Sequence, residues 1–155
     1  MSRERPGPLA GVQPELAHKD HPVWDEIRPR PAEGKPGGFV PSEFRYPYLM
    51  DAHFLRLLYR MRQAAGVPFR ITSDHRPPER NAAAGGAARS AHLETPCRAV
   101  DLKVVSNFER FRIIATAIRF GFNRIGCVKY GADAATGAGI IHLDASENLP
   151  AEVIW

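Results

Sequence analysis

Apolar residues recur along this chain at two different periods, and each change of period marks an element. Leu49, Phe54, Leu55, Leu57, Leu58 and Met61 recur at helical spacing, so residues 49–65 read as one helix, with Gly66 as its stop. Residues 67–72 follow as a short strand with Phe69 and Ile71 on one face. Residues 73–98 are rich in Pro, Gly and Ala and read as a long loop with one helical turn from Pro78. A structureless stretch of that length inside a compact domain is usually functional. Residues 99–105 form a buried strand, and Ser106-Asn107-Phe108-Glu109 is a capping box opening a helix to Phe120, ended by Gly121. Residues 123–129 and 140–144 supply two more strands. Few helices, short strands and no βαβ rhythm predict an α+β fold, a small antiparallel sheet with flanking helices.

The first 47 residues break this pattern. They hold nine of the 14 prolines, and proline removes a backbone donor and fixes φ, so no regular helix or central strand runs through them. We therefore divide the chain into a proline-rich arm, residues 1–44, and a compact domain, residues 45–155. The arm reads either as a loose tail or as a segment docked on its own domain or a partner, with Trp24, Ile27, Phe39 and Phe44 as anchors.

Composition narrows the class. The 155 residues are 44% hydrophobic and 25% charged, enough for one domain with a real core. No apolar run approaches a membrane span, and the charged, proline-broken start has no apolar signal region. Two cysteines, Cys97 and Cys127, make no disulfide framework and point to a reducing compartment. A net charge of +4 favours anionic partners. Nucleic acid is disfavoured, because no clustered basic face with aromatics and no known motif accompanies the charge.

The chemistry gathers where polar residues enter apolar strands. His142 and Asp144 alternate with Ile141 and Leu143, so both look to one face. His92 ends the long loop and Asp101 lies in the buried strand. Two nitrogens and one carboxylate make a catalytic zinc set with a fourth position open. Spacing alone equally allows a hydrogen-bonded core histidine and a capping or ion-paired aspartate. Cys97 reads as a small buried residue rather than a nucleophile. His18, His21 and His53 receive no function.

One ordered set of motifs resolves this choice: Ser73-Asp74-His75-Arg76-Pro77 with Asn81, Gly85-Gly86-Ala87, Ser90-Ala91-His92, Ala99-Val100-Asp101 and Ile141-His142-Leu143-Asp144. Over residues 45–155 the chain resembles the M15 metallopeptidases, the zinc D-Ala-D-Ala carboxypeptidases and L-alanyl-D-glutamate endopeptidases that share the hedgehog/DD-peptidase fold. The resemblance implies Zn2+ held by His92, Asp101 and His142, with Arg76 steadying substrate or oxyanion. Ser90 is expected at the rim of the site, and His75 as a substrate contact or turn residue. The chain departs from the family in two places. The His92–Asp101 spacing is two residues longer than usual, an insertion that a bulge absorbs without moving either ligand. Gly139 stands where many members carry an acidic general base, which leaves Asp144 as base or orienting group and Glu94 and Asp133 as weaker alternatives.

The implied substrate is the peptide stem of bacterial peptidoglycan. Without a signal peptide, such an enzyme is made in the cytoplasm and acts on the wall after lysis or as part of a phage particle, the arm docking on virion or tail proteins. The alternative is a non-catalytic structural or binding module, such as a virion component, that retains the fold.

Overall fold

The computed structural model describes residues 5–83, 85, 88–127, 133 and 135–155. Gly86 and Ala87 of the glycine motif, and residues 128–129 at the end of one expected strand, lie outside the described residues. The elements run α1 (Val23–Glu26), α2 (Ala52–Ala65), β1 (Arg70–Ser73), α3 (Pro78–Ala83), β2 (Ala99–Val104), α4 (Asn107–Arg119), β3 (Arg124–Gly126), β4 (Gly139–Asp144) and β5 (Val153–Ile154), with 3-10 turns between. The fold is α+β, as expected. Its open sheet has the order β1-β2-β4-β3-β5. The strands pair antiparallel except β5, a strand too short to show in the pattern, which lies parallel to β3. No helix among the described residues is long and apolar enough to cross a membrane.

Local chemistry explains the helix boundaries. The Asp51 carboxylate accepts from Phe54 N–H at 2.8 Å and starts α2 there, later than periodicity predicts, because Pro47–Leu49 already forms a 3-10 turn. Gly66, at φ +66°, closes the helix in the left-handed conformation a side chain resists. Ser106 caps α4 by accepting from Glu109 N–H. The reciprocal half of the expected capping box is displaced by one residue: the Glu109 carboxylate accepts from Val105 N–H and pairs with Arg70 at 2.8 Å. The long loop also contains more helix than one turn, in α3 and the 3-10 turn Ala91–Leu93.

Strand alternation gives the sheet two unlike faces. Val100, Leu102 and Val104 join Ile141, Leu143, Phe54, Leu58 and Ile113 in one buried apolar cluster with α2 and α4. The other face carries Asp101 and His142, which are direct cross-strand partners. Ser73 lies opposite Asp101 on one side and Gly126 opposite His142 on the other. A single row across four strands therefore reads Ser73, Asp101, His142, Gly126.

The arm docks on its own domain. Trp24, Ile27, Phe39 and Phe44 are all buried in the same cluster as α2. Ala17 N–H donates to Met50 C=O at 2.9 Å, Ala52 N–H to Glu15 C=O at 2.7 Å, and Trp24 Nε1–H to Ala17 C=O at 3.1 Å. Asp51 links three segments, accepting from Glu15 N–H in the arm while capping α2 and facing Arg98 at 3.3 Å. At Gly38 the arm folds so closely on itself that a Cβ would collide with the backbone of Ile27, Arg28 and Pro29. Gly38→Ala is therefore expected to cost about 3 kcal/mol, since backbone atoms cannot rotate away as a side chain could. A lower urea midpoint at unchanged slope checks it, and an unaltered midpoint refutes close docking there.

Candidate metal centre

The row on the polar face is completed from outside the sheet. The 3-10 turn Ala91–Leu93 brings His92 over Asp101, and Ser90 starts that turn, its hydroxyl accepting from His92 N–H at 3.3 Å. His92 Nε2 lies 3.3 Å from Asp101 Oδ1 and 3.2 Å from His142 Nδ1. His142 Nδ1 lies 2.9 Å from the same Asp101 oxygen. All three residues are buried. They form a group whose ligand atoms converge closely enough to hold a metal ion. Between His92 and Asp101 the chain is held by Cys97 N–H, which donates to Leu49 C=O, and by Arg98, which reaches the Val12 carbonyl.

Each imidazole commits its other nitrogen to an acceptor outside the cluster. His92 Nδ1 lies 2.5 Å from the Asp74 carbonyl oxygen, which can only accept, so Nδ1 bears the proton and Nε2 presents a lone pair. His142 Nε2 lies 2.6 Å from Asp144 Oδ2, so the neutral ring with its proton on that nitrogen turns the Nδ1 lone pair inward. With both rings neutral, as metal ligation requires, two nitrogen lone pairs and a carboxylate oxygen would meet with no proton among them. Such a donor set repels itself unless a cation lies between, and this fits a divalent metal with His2Asp ligation.

Without a cation between them, the same contacts are hydrogen bonds that protons bridge. Burial pushes the Asp101 carboxyl up, but hydrogen bonds to His142 and His92 outweigh it and hold the group well below the usual carboxylate range. Burial pushes His142 down, and hydrogen bonds to Asp101 and Asp144 more than reverse this, leaving its pKa raised. Asp144, also opposed by burial, is lowered by His142 and Arg124.

Of the two roles left open for Asp144, the structure favours orienting. The residue has no exposed surface; Oδ2 meets His142, while Oδ1 accepts from Arg124 Nε at 2.7 Å and from Ser146 N–H at 3.1 Å. Arg76 is likewise committed, with Nη2 2.5 Å from Asp101 Oδ2 and Nε 2.7 Å from Ser73 Oγ. Ser90, His92, Asp101, His142, Asp144 and Arg76 all border one cavity of about 970 Å3. His75 does not: it borders a separate polar cavity of about 280 Å3, bonds the Glu94 carbonyl and packs edge-on to Tyr46. Glu94 binds Ser146 Oγ and Asn148 Nδ2, and Asp133 caps a turn at Ala135 and Thr136; neither borders the larger cavity. Cys97 is fully buried, and that burial pushes its thiol far up, away from the nucleophilic thiolate.

Three participants escape the sequence reading. The Asp74 carbonyl is a backbone group and leaves no side-chain signal. Arg124 is a buried charge in an otherwise apolar strand, the same signal that exposes His142. Trp155 stacks at 5.3 Å from the His142 ring and 5.4 Å from the Arg124 guanidinium. Gly126 makes room for it, since a Cβ there would stand 2.9 Å from the indole and 3.0 Å from His142 Cβ.

Residues 24–134 match the family described as Peptidase M15. The match includes Arg76, His92 and Asp101 and stops short of β4, so His142 and Asp144 lie beyond it. No curated protein and no solved structure gives a match.

Proposed function

This chain belongs to the peptidase M15 family, and from that premise we propose that it is a zinc peptidase acting on the peptide stems of bacterial peptidoglycan. The observation that carries the proposal is the inward convergence of His92 Nε2, His142 Nδ1 and Asp101 Oδ1 at the wall of a large cavity. Zinc bound there supplies Lewis acidity toward a carbonyl and lowers the pKa of water toward ~7. The protein's part is positional. Asp74 C=O and Asp144 fix the two imidazole tautomers, and Arg76 fixes Asp101 by holding the oxygen that faces away from the histidines. Ser73 in turn holds Arg76, so the row across the sheet acts as one rigid support.

The test is purified protein incubated with peptidoglycan and synthetic stem peptides, with metal content assayed and products read by mass spectrometry. One zinc per chain and a released stem fragment are expected, and the fragment identifies the bond. A second reading, a binding module that keeps the metal centre, is favoured by one observation: among the described residues, both carboxylates bordering the cavity are already paired. Bound zinc without any cleavage selects it.

Metal addition has a thermodynamic signature as well. Zinc at about 100 times its dissociation constant is expected to stabilise the fold by about 2.7 kcal/mol, read as a rise in Tm. His142 has a raised pKa, so below that pKa a proton must leave before a ligand can bind. Zinc affinity is therefore expected to fall as pH is lowered through the His142 transition and to level off above it. Calorimetric titrations across pH check both sign and window.

A further inference from the structure

The resemblance assigns substrate recognition to Arg76, yet Arg76 is already held by Asp101 and Ser73. Arg124, deeper in the cavity wall, is held by Asp144 and by the Pro150 carbonyl. These two pairs use both carboxylates that border the cavity among its described residues. Two further arginines border the same space. Among the described residues, Arg80, which projects from α3, pairs with no carboxylate, and Arg89 donates to a neutral backbone oxygen, Asn148 C=O, at 2.9 Å. Both are exposed, so their charge stands at the mouth rather than in the wall. The side chains facing them, Leu149, Val153 and the Trp155 indole, are apolar.

Uncompensated guanidinium groups in a concave, partly apolar site focus positive potential and present planar forks suited to carboxylate. We propose that Arg80 and Arg89 are the specificity-determining residues of the cavity and that they select a peptide by a free carboxylate. This rests on the peptidase reading, takes the free carboxylates of stem peptides as given, and moves their recognition from Arg76 to the α3 side of the mouth. Peptides whose carboxylates are capped as carboxamides should be discriminated against.

The experiment uses synthetic pentapeptide stems in free-acid form and analogues with one carboxylate at a time converted to carboxamide. Binding to the full chain, treated with chelator to prevent turnover, is measured by calorimetry at low ionic strength. At least one free acid is expected to bind roughly ten- to hundredfold more tightly than its carboxamide, the range for hydrogen bonds to charged groups. Arg80→Gln/Arg89→Gln should bind the two alike, and Arg80→Lys/Arg89→Lys should retain part of the preference. Circular dichroism and Tm confirm that these exposed variants fold. Equal binding of acid and amide by the parental protein overturns the proposal, as does a double glutamine variant that keeps the full preference. Cleavage by the zinc-loaded protein is followed separately. Preserved acid preference with no turnover ends the peptidase reading and leaves this inference standing.

Discussion

Replacing His92 or His142 with alanine is expected to reduce peptide cleavage at least about 1,000-fold, because the site loses a ligand and with it several kcal/mol of charge stabilisation, at tenfold in rate per ~1.4 kcal/mol. The same variants should bind substoichiometric zinc and lose the rise in Tm that zinc confers on the parental protein. The paired readouts matter because either histidine is also a buried, hydrogen-bonded group of the fold. A histidine that is merely a core residue would lower Tm on removal whether or not zinc is present. A ligand histidine, when removed, makes Tm insensitive to zinc. A His92→Ala protein that cleaves stem peptides at the parental rate would falsify the metal centre as the seat of activity.

How far this centre can be read from sequence depends on which interactions run along a strand and which run across the fold. Alternation places His142 and Asp144 on one face from sequence alone, and the structure shows them on that face, 2.6 Å apart. The fold class, the α2 and α4 helices and their glycine stops are equally local matters of period and cap. Register is not local. That Asp101 lies opposite His142 follows from pairing β2 with β4, elements separated by α4 and β3, and no motif states it. The orienting partner of His92 is a backbone carbonyl, a group every residue has. The commitment of Arg76 to Asp101 shows only in space, and so the resemblance alone assigns it to substrate. Prolines keep long elements out of the arm, whose described residues form the single-turn α1 and 3-10 turns, without saying whether it docks. The buried positions of Ala17, Val23, Ile27 and Phe39 answer that. The β5 strand, two residues long, has too few positions for any period to register.

Asp144 provides the second large effect, because one carboxylate serves both metal ligation and stability. Asp144→Asn is expected to weaken zinc binding roughly 10- to 100-fold, the usual consequence of altering a group that orients a ligand histidine. It should also destabilise the fold by about 3–5 kcal/mol, because Arg124 is left as a buried charge without its counter-ion. The sign with pH follows from the lowered pKa of Asp144: its contribution is present above the ordinary carboxylate pKa and is lost as pH falls through the folded value. Measurements at neutral pH therefore compare a fully ionised parent with a neutral variant. Arg124→Met separates the two roles. In the Arg124→Met/Asp144→Asn double variant the uncompensated charge is gone, so the stability loss should be well below the sum of the single losses. The zinc affinity of the double variant should stay as low as that of Asp144→Asn alone, because His142 still lacks its carboxylate. Urea midpoints and zinc titrations on the three variants yield both quantities. Restored zinc affinity in the double variant would mean that Asp144 acts on the metal centre only by neutralising Arg124, and the orienting role assigned to its His142 bond would fall.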